Sequence, residues 1–291
     1  METYEIAPAK INLAQDILFK RPDGYHEIDM VMASVDLSDY LTFKCRSDQE
    51  IRVTTSQAFL PNDKRNHAYQ AARLLQVNYQ VAKGVDIGIK KRIPVAAGLG
   101  GGSTNAAAVL RALNRLWHLH LSQEELVKLA SQLGSDVPYS LVGGVARVQG
   151  MGEIIKPLSK LPVSWVIIAK PPISVSTRKI FNQVDMQEFL KQPNASQVAA
   201  AIEAQDYQAL MAATGNSLEQ VTFARYPWLA ELKAKMEKFG AQGVTMSGSG
   251  PSIIGFTQHQ QRGQRIFNGL KGFCEEVYLV RVLNRPQDLR P

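Results

Sequence analysis

The sequence predicts an α+β protein of two domains with a cleft between them, and three observations carry that expectation. The chain has 291 residues, enough for two domains of ordinary size. Alternating apolar residues at 85–89 lead through a glycine-rich turn at 98–102 into a run of helical periodicity. Far downstream lies a second glycine-rich stretch, Gly243-Val244-Thr245-Met246-Ser247-Gly248-Ser249-Gly250-Pro251-Ser252, and apolar runs flank both.

Composition narrows the class. With 45% hydrophobic and 20% charged residues the chain reads as globular. Two cysteines, Cys45 and Cys274, are too few for a disulfide framework and read as buried small hydrophobes in a reducing compartment. The first residues, Met1 to Glu5, lack the basic and apolar regions of a secretory signal, and no apolar run approaches the roughly 20 residues needed to span a bilayer. A cytoplasmic location with no membrane partner is therefore expected. The formal charge of +7 is compatible with a nucleic-acid surface or with a field that draws in small polyanions. The basic residues are scattered, with no dense run and no interleaved aromatics, which favours a small-molecule substrate and no nucleic acid. The expected assembly is a monomer or homodimer.

Taken in order, residues 4–19 predict an extended segment whose alternation breaks at Ala7-Pro8-Ala9-Lys10. Proline and lysine in an otherwise buried strand mark an edge, a bulge or a site. Lys10 alone reads as a surface lysine; Asn12 would share its side of a strand. Arg21-Pro22-Asp23-Gly24 is a turn signal, followed at once by Tyr25-His26. Strands are predicted over 27–35, 40–45 and 50–55, then a polar loop at 61–65 and a helix over 66–81 with Asn66 as N-cap.

Val85, Ile87 and Ile89 alternate with Asp86, Gly88 and Lys90, and Ala106, Val109, Leu110, Leu113 and Trp117 recur at helical spacing. The spacing predicts a helix over 103–117. Between strand and helix runs Pro94-Val95-Ala96-Ala97-Gly98-Leu99-Gly100-Gly101-Gly102-Ser103-Thr104. A helix N-terminus carries unpaired N–H donors and partial positive charge, so bare backbone here suits a phosphate. Ser103 and Thr104 add hydroxyls that can cap the helix or reach a phosphate-bound magnesium ion. No lysine follows the glycines as in a Walker A loop, and Ser103 occupies the place of the last glycine of a dinucleotide fingerprint. The alternative is a helix cap on a flexible turn, but adjacent glycines cost conformational entropy with no evident structural return.

Ser122 and Glu125 form a capping box for a helix that ends near Gly134. In Gly134-Ser135-Asp136-Val137-Pro138, Asp136 reads first as the cap of a short helix. A strand over 142–149 and a turn at Gly150-Met151-Gly152-Glu153 follow. The two prolines in 157–162 mark a boundary between domains 1–158 and 159–291. Residues 165–169 predict a central strand of a second sheet, and Phe181 the packing face of an amphipathic helix. Helices are expected over 195–205, 206–213 and 228–239, a last helix from His259, and a last strand over 277–283. The second glycine-rich stretch is no nucleophile elbow, because Ser247 stands two residues before Ser249 where glycine is required. His118 and His120 read as surface residues.

Pro-x-x-x-Gly-Leu-Gly-Gly-Gly-Ser-Thr-Asn-Ala-Ala resembles the phosphate loop of the GHMP kinases, which phosphorylate small alcohols and acids with ATP. Ala-Pro-Ala-Lys-Ile-Asn, Arg-x-Asp-Gly-Tyr-His, Gly-Ser-Asp-Val-Pro and Gly-Met-Gly-Glu resemble, in order, segments of a subgroup that acts on a cytidine-diphosphate-linked polyol in isoprenoid-precursor formation. The resemblance implies an N-terminal domain like ribosomal protein S5 domain 2 and a ferredoxin-like C-terminal domain. It places ATP phosphates on the loop from Pro94 to Thr104 and the adenine near Asn66, which equally reads as a simple cap. Mg2+ would be held by phosphate oxygens and Ser103 or Thr104; relatives often have serine at the latter position. Asp136 would be the base and Lys10 its electrostatic partner, with Asn12 orienting either. Tyr25, His26 and Phe181 would hold the cytidine, and the loop with Gly248 and Ser249 would close over the site. Two alternatives stay open: a GHMP kinase acting on another small alcohol or phosphorylated acid, and a catalytically silent nucleotide- or RNA-binding protein on the same fold.

Overall fold

The chain is described here from a computed structural model, over residues 2–162, 164–184 and 194–284. In the N-terminal half the elements are β1 (Glu2–Lys20), β2 (His26–Arg46), β3 (Ile51–Thr55), α1 (His67–Asn78), β4 (Gly84–Lys90), α2 (Gly101–Leu116), α3 (Gln123–Ala130), α4 (Asp136–Val142), β5 (Val145–Gly150) and β6 (Ile154–Pro157). The long strand β2 is their spine. One edge pairs antiparallel with β1 throughout, and the other is shared by β5 along residues 28–33 and β4 along residues 40–46.

Two strands were expected where β2 is one. The polar residues Asp36, Ser38 and Asp39 interrupt the apolar pattern; the ladder bulges at Asp36 and Leu37, but β1 carries it on by pairing Pro8 with Ser38 and Ala7 with Asp39. Helix α1 begins as expected, with the Asn66 side chain accepting from the Ala68 N–H at 2.9 Å, and ends at Asn78, short of the expected 81. Helix α2 begins two residues earlier than predicted, because left-handed Gly100 (φ +68°) is its N-cap. The capping box of α3 is present, both halves of it. The hairpin strand β6 was not anticipated; its residues lie largely open to solvent and carry no alternating signal.

The C-terminal half contains β7 (Trp165–Lys170), α5 (Thr177–Val184), α6 (Ala195–Glu203), α7 (Tyr207–Ala213), β8 (Gly215–Asn216), α8 (Leu218–Arg225), α9 (Trp228–Lys238), β9 (Gln242–Met246), β10 (Ile253–Thr257), α10 (Gln260–Lys271) and β11 (Glu276–Leu283). Its four main strands lie in the order β11-β7-β10-β9. That is the order of a split βαβ, ferredoxin-like sheet. β7 is central in it, as expected, but the sheet is not separate: β11 also pairs with β2 through Val282–Val35 and Leu283–Ser34. Helix α8 and the short β8, which pairs with β1, were missed. Only Leu218, Val221 and Thr222 of α8 are buried, too few to draw a stripe.

Among the described residues, three apolar clusters make up the core. One packs α1 and α2 on the N-terminal strands, where Ala106, Ala107 and Ala108 let α2 lie close. Another joins Ile11, Leu13, Val31 and Val35 of the N-terminal half to Val166, Ile168 and Phe256 of the C-terminal half. The cleft therefore opens between halves that share a sheet and a core. His118 and His120 are exposed, Cys45 is half-buried and Cys274 buried, both free. No helix among the described residues is long and apolar enough to cross a membrane.

Candidate active site

The glycine loop meets the N-terminus of α2 with no side-chain cap, so no side chain competes for the first amides of the helix, a position suited to an anion. Two of its glycines are required by geometry. A Cβ on Gly98 (φ +74°) would lie 2.1 Å from the Ser247 carbonyl oxygen, and one on Gly100 would lie 2.8 Å from Lys10 Cγ. The two glycine-rich loops are thus in direct contact, with Lys10 beside them. Ser247 Oγ donates to the Gly98 carbonyl at 3.0 Å, and the Lys10 N–H donates to the Leu99 carbonyl at 3.1 Å. Asn216, unnoticed in the sequence, shapes the second loop by donating through Nδ2 to the carbonyls of Met246 and Gly248, each at 2.7 Å.

Lys10 is no surface lysine. It is buried, its Nζ donates to Asn12 Oδ1 at 2.7 Å, and it stands 3.4 Å from Asp136 Oδ2. Asp136 is the first residue of α4, and its carboxylate is partly open to the cleft. The cap position belongs instead to Ser135, whose side chain makes no capping bond. Elements far apart in sequence thus bring a carboxylate and an ammonium together at the mouth of α2.

A second buried pair sets the base of the loop. Asp39, wholly buried, pairs with Lys91 and accepts from the backbone N–H of Arg92 at 2.7 Å and of Ile93 at 2.9 Å. Asn105 Nδ2 also donates to Asp39 at 2.9 Å, tying loop to helix. A buried charge needs such a full set of partners. No local signal marked it, because Asp39 falls in the gap between the strands expected over 27–35 and 40–45.

The cleft encloses about 440 Å³. Its lining includes Lys10, Asn66, the whole run from Pro94 to Ser103, Asp136, Phe181, Gly248 and Ser249. Four of the residues singled out in the sequence are not in that lining. Thr104 is buried in α2; Asn12 lies behind Lys10 as its hydrogen-bond acceptor. Tyr25 is exposed in the β1–β2 turn, and His26 opens β2 with its ring centroid 5.3 Å from that of Phe181. Asn66 has both ends of its amide engaged, since Nδ2 donates to the Pro61 carbonyl at 2.8 Å. Residues that sequence reasoning passed over also line the cleft, among them Gln15, Met30, His67, Lys91 and Thr177. His67 lies at its rim beside Gly102, and desolvation lowers its imidazole pKa, which favours the neutral ring. The hydroxyls of Thr177 and Ser249, 2.9 Å apart, tie α5 to the second loop.

A helix mouth without a side-chain cap, an ammonium beside it and a carboxylate 3.4 Å from that ammonium, all lining one cleft, are an arrangement that can support phosphoryl transfer. The family models agree: "GHMP kinases N terminal domain" matches residues 66–144, and "GHMP kinases C terminal" matches residues 198–276. The chain belongs to the GHMP kinases, small-molecule phosphotransferases. It is 52% identical over 283 residues to the 4-diphosphocytidyl-2-C-methyl-D-erythritol kinase of Enterococcus faecalis (strain ATCC 700802 / V583), covering 97% of this chain and 100% of the relative. The enzyme of the same name from Geobacillus thermodenitrificans (strain NG80-2) is 49% identical, over 97% of this chain and 98% of the relative. Among solved structures, a 4-(cytidine 5'-diphospho)-2C-methyl-D-erythritol kinase superposes with a TM-score of 0.80 at 32% identity, covering 97% of this chain and 99% of that one. A homoserine kinase from Cytophaga hutchinsonii shares the fold, with a TM-score of 0.78 at 21% identity, 98% of this chain and 96% of that one being covered.

Proposed function

We propose that this chain transfers the γ-phosphate of ATP to the 2-hydroxyl of 4-diphosphocytidyl-2-C-methyl-D-erythritol, a step in forming isoprenoid precursors by the non-mevalonate route. The observation that carries the reaction is the Lys10–Asp136 pair, 3.4 Å apart beside the glycine loop. The relatives' shared activity supports the substrate.

ATP phosphates rest on the amides of the loop and of the first turn of α2, with Asn66 near the adenine. The acceptor hydroxyl lies between Lys10 and Asp136. As it attacks, Asp136 takes its proton, which contributes roughly 10²–10⁴-fold. The Lys10 ammonium stabilises charge developing on the transferred group, and Asn12 fixes its direction. Phe181 and Tyr25 offer aromatic faces to the cytosine and His26 a hydrogen bond to its edge. Gly248 and Ser249 close the acceptor side.

Mg2+ fits as a cation that enters on the nucleotide. Among the described residues no group of three His, Cys, Asp or Glu could cage a metal, and Mg2+ favours phosphate oxygens and water over such cages. Ser103 faces the cleft and would hold it, while Thr104 is turned into the core. When bound, the ion neutralises phosphate charge. The nucleotide half is assigned to residues 1–158 and the remainder to 159–291. The protein is assigned to the cytoplasm as a monomer or homodimer, in keeping with two free cysteines.

The test is ATP turnover over a panel of 4-diphosphocytidyl-2-C-methyl-D-erythritol, homoserine and mevalonate. Consumption that depends on the cytidine-linked polyol is expected. Turnover with another acceptor alone would overturn the substrate assignment, and none with any would overturn the kinase reading.

A further inference from the structure

The register of β1 on β2 turns into the cleft a polar side chain that simple alternation hides. Lys10 pairs with Ser34 and Asn12 with Met32; the ladder then slips by one residue at Leu13, so that Ala14 pairs with Val31 and Gln15 with Met30. Ser34, Met32 and Met30 share one face of β2, so Lys10, Asn12 and Gln15 share the matching face of β1. Without the slip, Ala14 would take this place and Gln15 would turn to the back of the sheet.

Gln15 is 4% exposed and lines the cleft beside Met30 and Ile28. Its Oε1 has no hydrogen-bond partner among the described residues and is out of reach of solvent. An unpaired amide end in an apolar wall lowers stability, which a methionine or leucine of similar size would not do. The terminal torsion of glutamine is broad and two-fold, so either end of the amide can face the cleft. A hydroxyl, which both donates and accepts, answers either end. Along β1, Gln15 stands between Lys10, at the reacting end, and Lys20, which pairs with His26 beside Phe181.

Building on the kinase reading above, we propose that Gln15 determines acceptor specificity: its amide hydrogen-bonds a sugar or polyol hydroxyl of the acceptor, between the Lys10–Asp136 pair and Phe181. The test compares the wild-type chain with Gln15→Met, which keeps the volume and removes the amide. With 4-diphosphocytidyl-2-C-methyl-D-erythritol, the acceptor KM should rise about tenfold, as for one lost hydrogen bond, while kcat and the KM for ATP stay within about twofold. The thermal midpoint should hold or rise. The 2′-deoxycytidine form of the acceptor separates two sources of the hydroxyl. A loss that does not add to that of Gln15→Met identifies the ribose; an additive loss identifies the polyol. An unchanged acceptor KM overturns the proposal. So does a fall in thermal midpoint with both KM values rising, which marks a purely structural residue. Should the wild type turn over another acceptor of the panel instead, that acceptor enters the same comparison, so the substrate and Gln15 assignments fail separately.

Discussion

Lys10 and Asp136 act on one another before any substrate arrives. An ammonium that is 5% exposed has few alternatives to the carboxylate 3.4 Å away and the Asn12 carbonyl. Asp136→Asn keeps the shape and removes the proposed proton acceptor, so kcat should fall roughly 10²–10⁴-fold with both KM values within a few-fold. Lys10→Met should lose a similar factor. In steady-state rates, the double variant's fold-loss should be well below the product of the two single losses, because neighbours that act as a unit are not additive. Independent losses that multiply would separate the two residues in the reaction. At this scale the sequence was informative about Asp136 and Lys10 only through their surrounding motifs. Nothing in Lys10 itself distinguished a buried ammonium from a surface one. Gln15 could not be placed, because a one-residue slip exchanges the faces of every residue beyond it.

At the scale of elements, the loops and helices around the cleft are fitted to one another by backbone contact. Gly98→Ala would add a left-handed strain of roughly 1–2 kcal/mol and drive a Cβ into the Ser247 carbonyl. Its thermal midpoint and its ATP-dependent turnover should both fall, whereas a variant as stable and active as the wild type would show that the two loops are not closely packed. Behind the sheet, helix α6 docks on β1 through Asp16, whose Oδ2 accepts the Ala195 N–H at 2.8 Å. Burial above all, helped by Asp29, its cross-strand partner, pushes this carboxyl up to about 6 against the pull of that hydrogen bond and of Arg147. The folded chain therefore holds this proton more tightly than the unfolded chain does. Its contribution is fully present below the ordinary carboxyl value and is lost as pH rises through about 6. Asp16→Asn keeps an oxygen for Ala195 and cannot ionise. In urea unfolding at pH 4 and pH 7, the variant should gain on the wild type by on the order of 1 kcal/mol at the higher pH. An equal difference at both pH values would contradict this. The capping box of α3 and the cap of α1 were legible because their signals are local, whereas α8 and β8 were not, because their partners lie elsewhere in the chain.

For the whole molecule, the junction of β11 with β2 makes one sheet of the two halves, and one apolar cluster crosses it. Neither half can lose its packing without exposing the other. Calorimetry should therefore show a single unfolding transition with calorimetric and van't Hoff enthalpies in agreement, and two resolved transitions would refute the shared core.

The sequence by itself determined the glycine-rich strand–loop–helix that lines the cleft, the order of its motifs and most of its helices, because glycine-rich turns, caps and apolar periodicity act over a few residues. Only the tertiary structure decided that β2 is continuous, that two glycine loops touch, that Lys10 is buried against Asp136, and that Gln15 faces the cleft. Those outcomes depend on strand register and on contacts between residues remote in the chain, which no local pattern encodes.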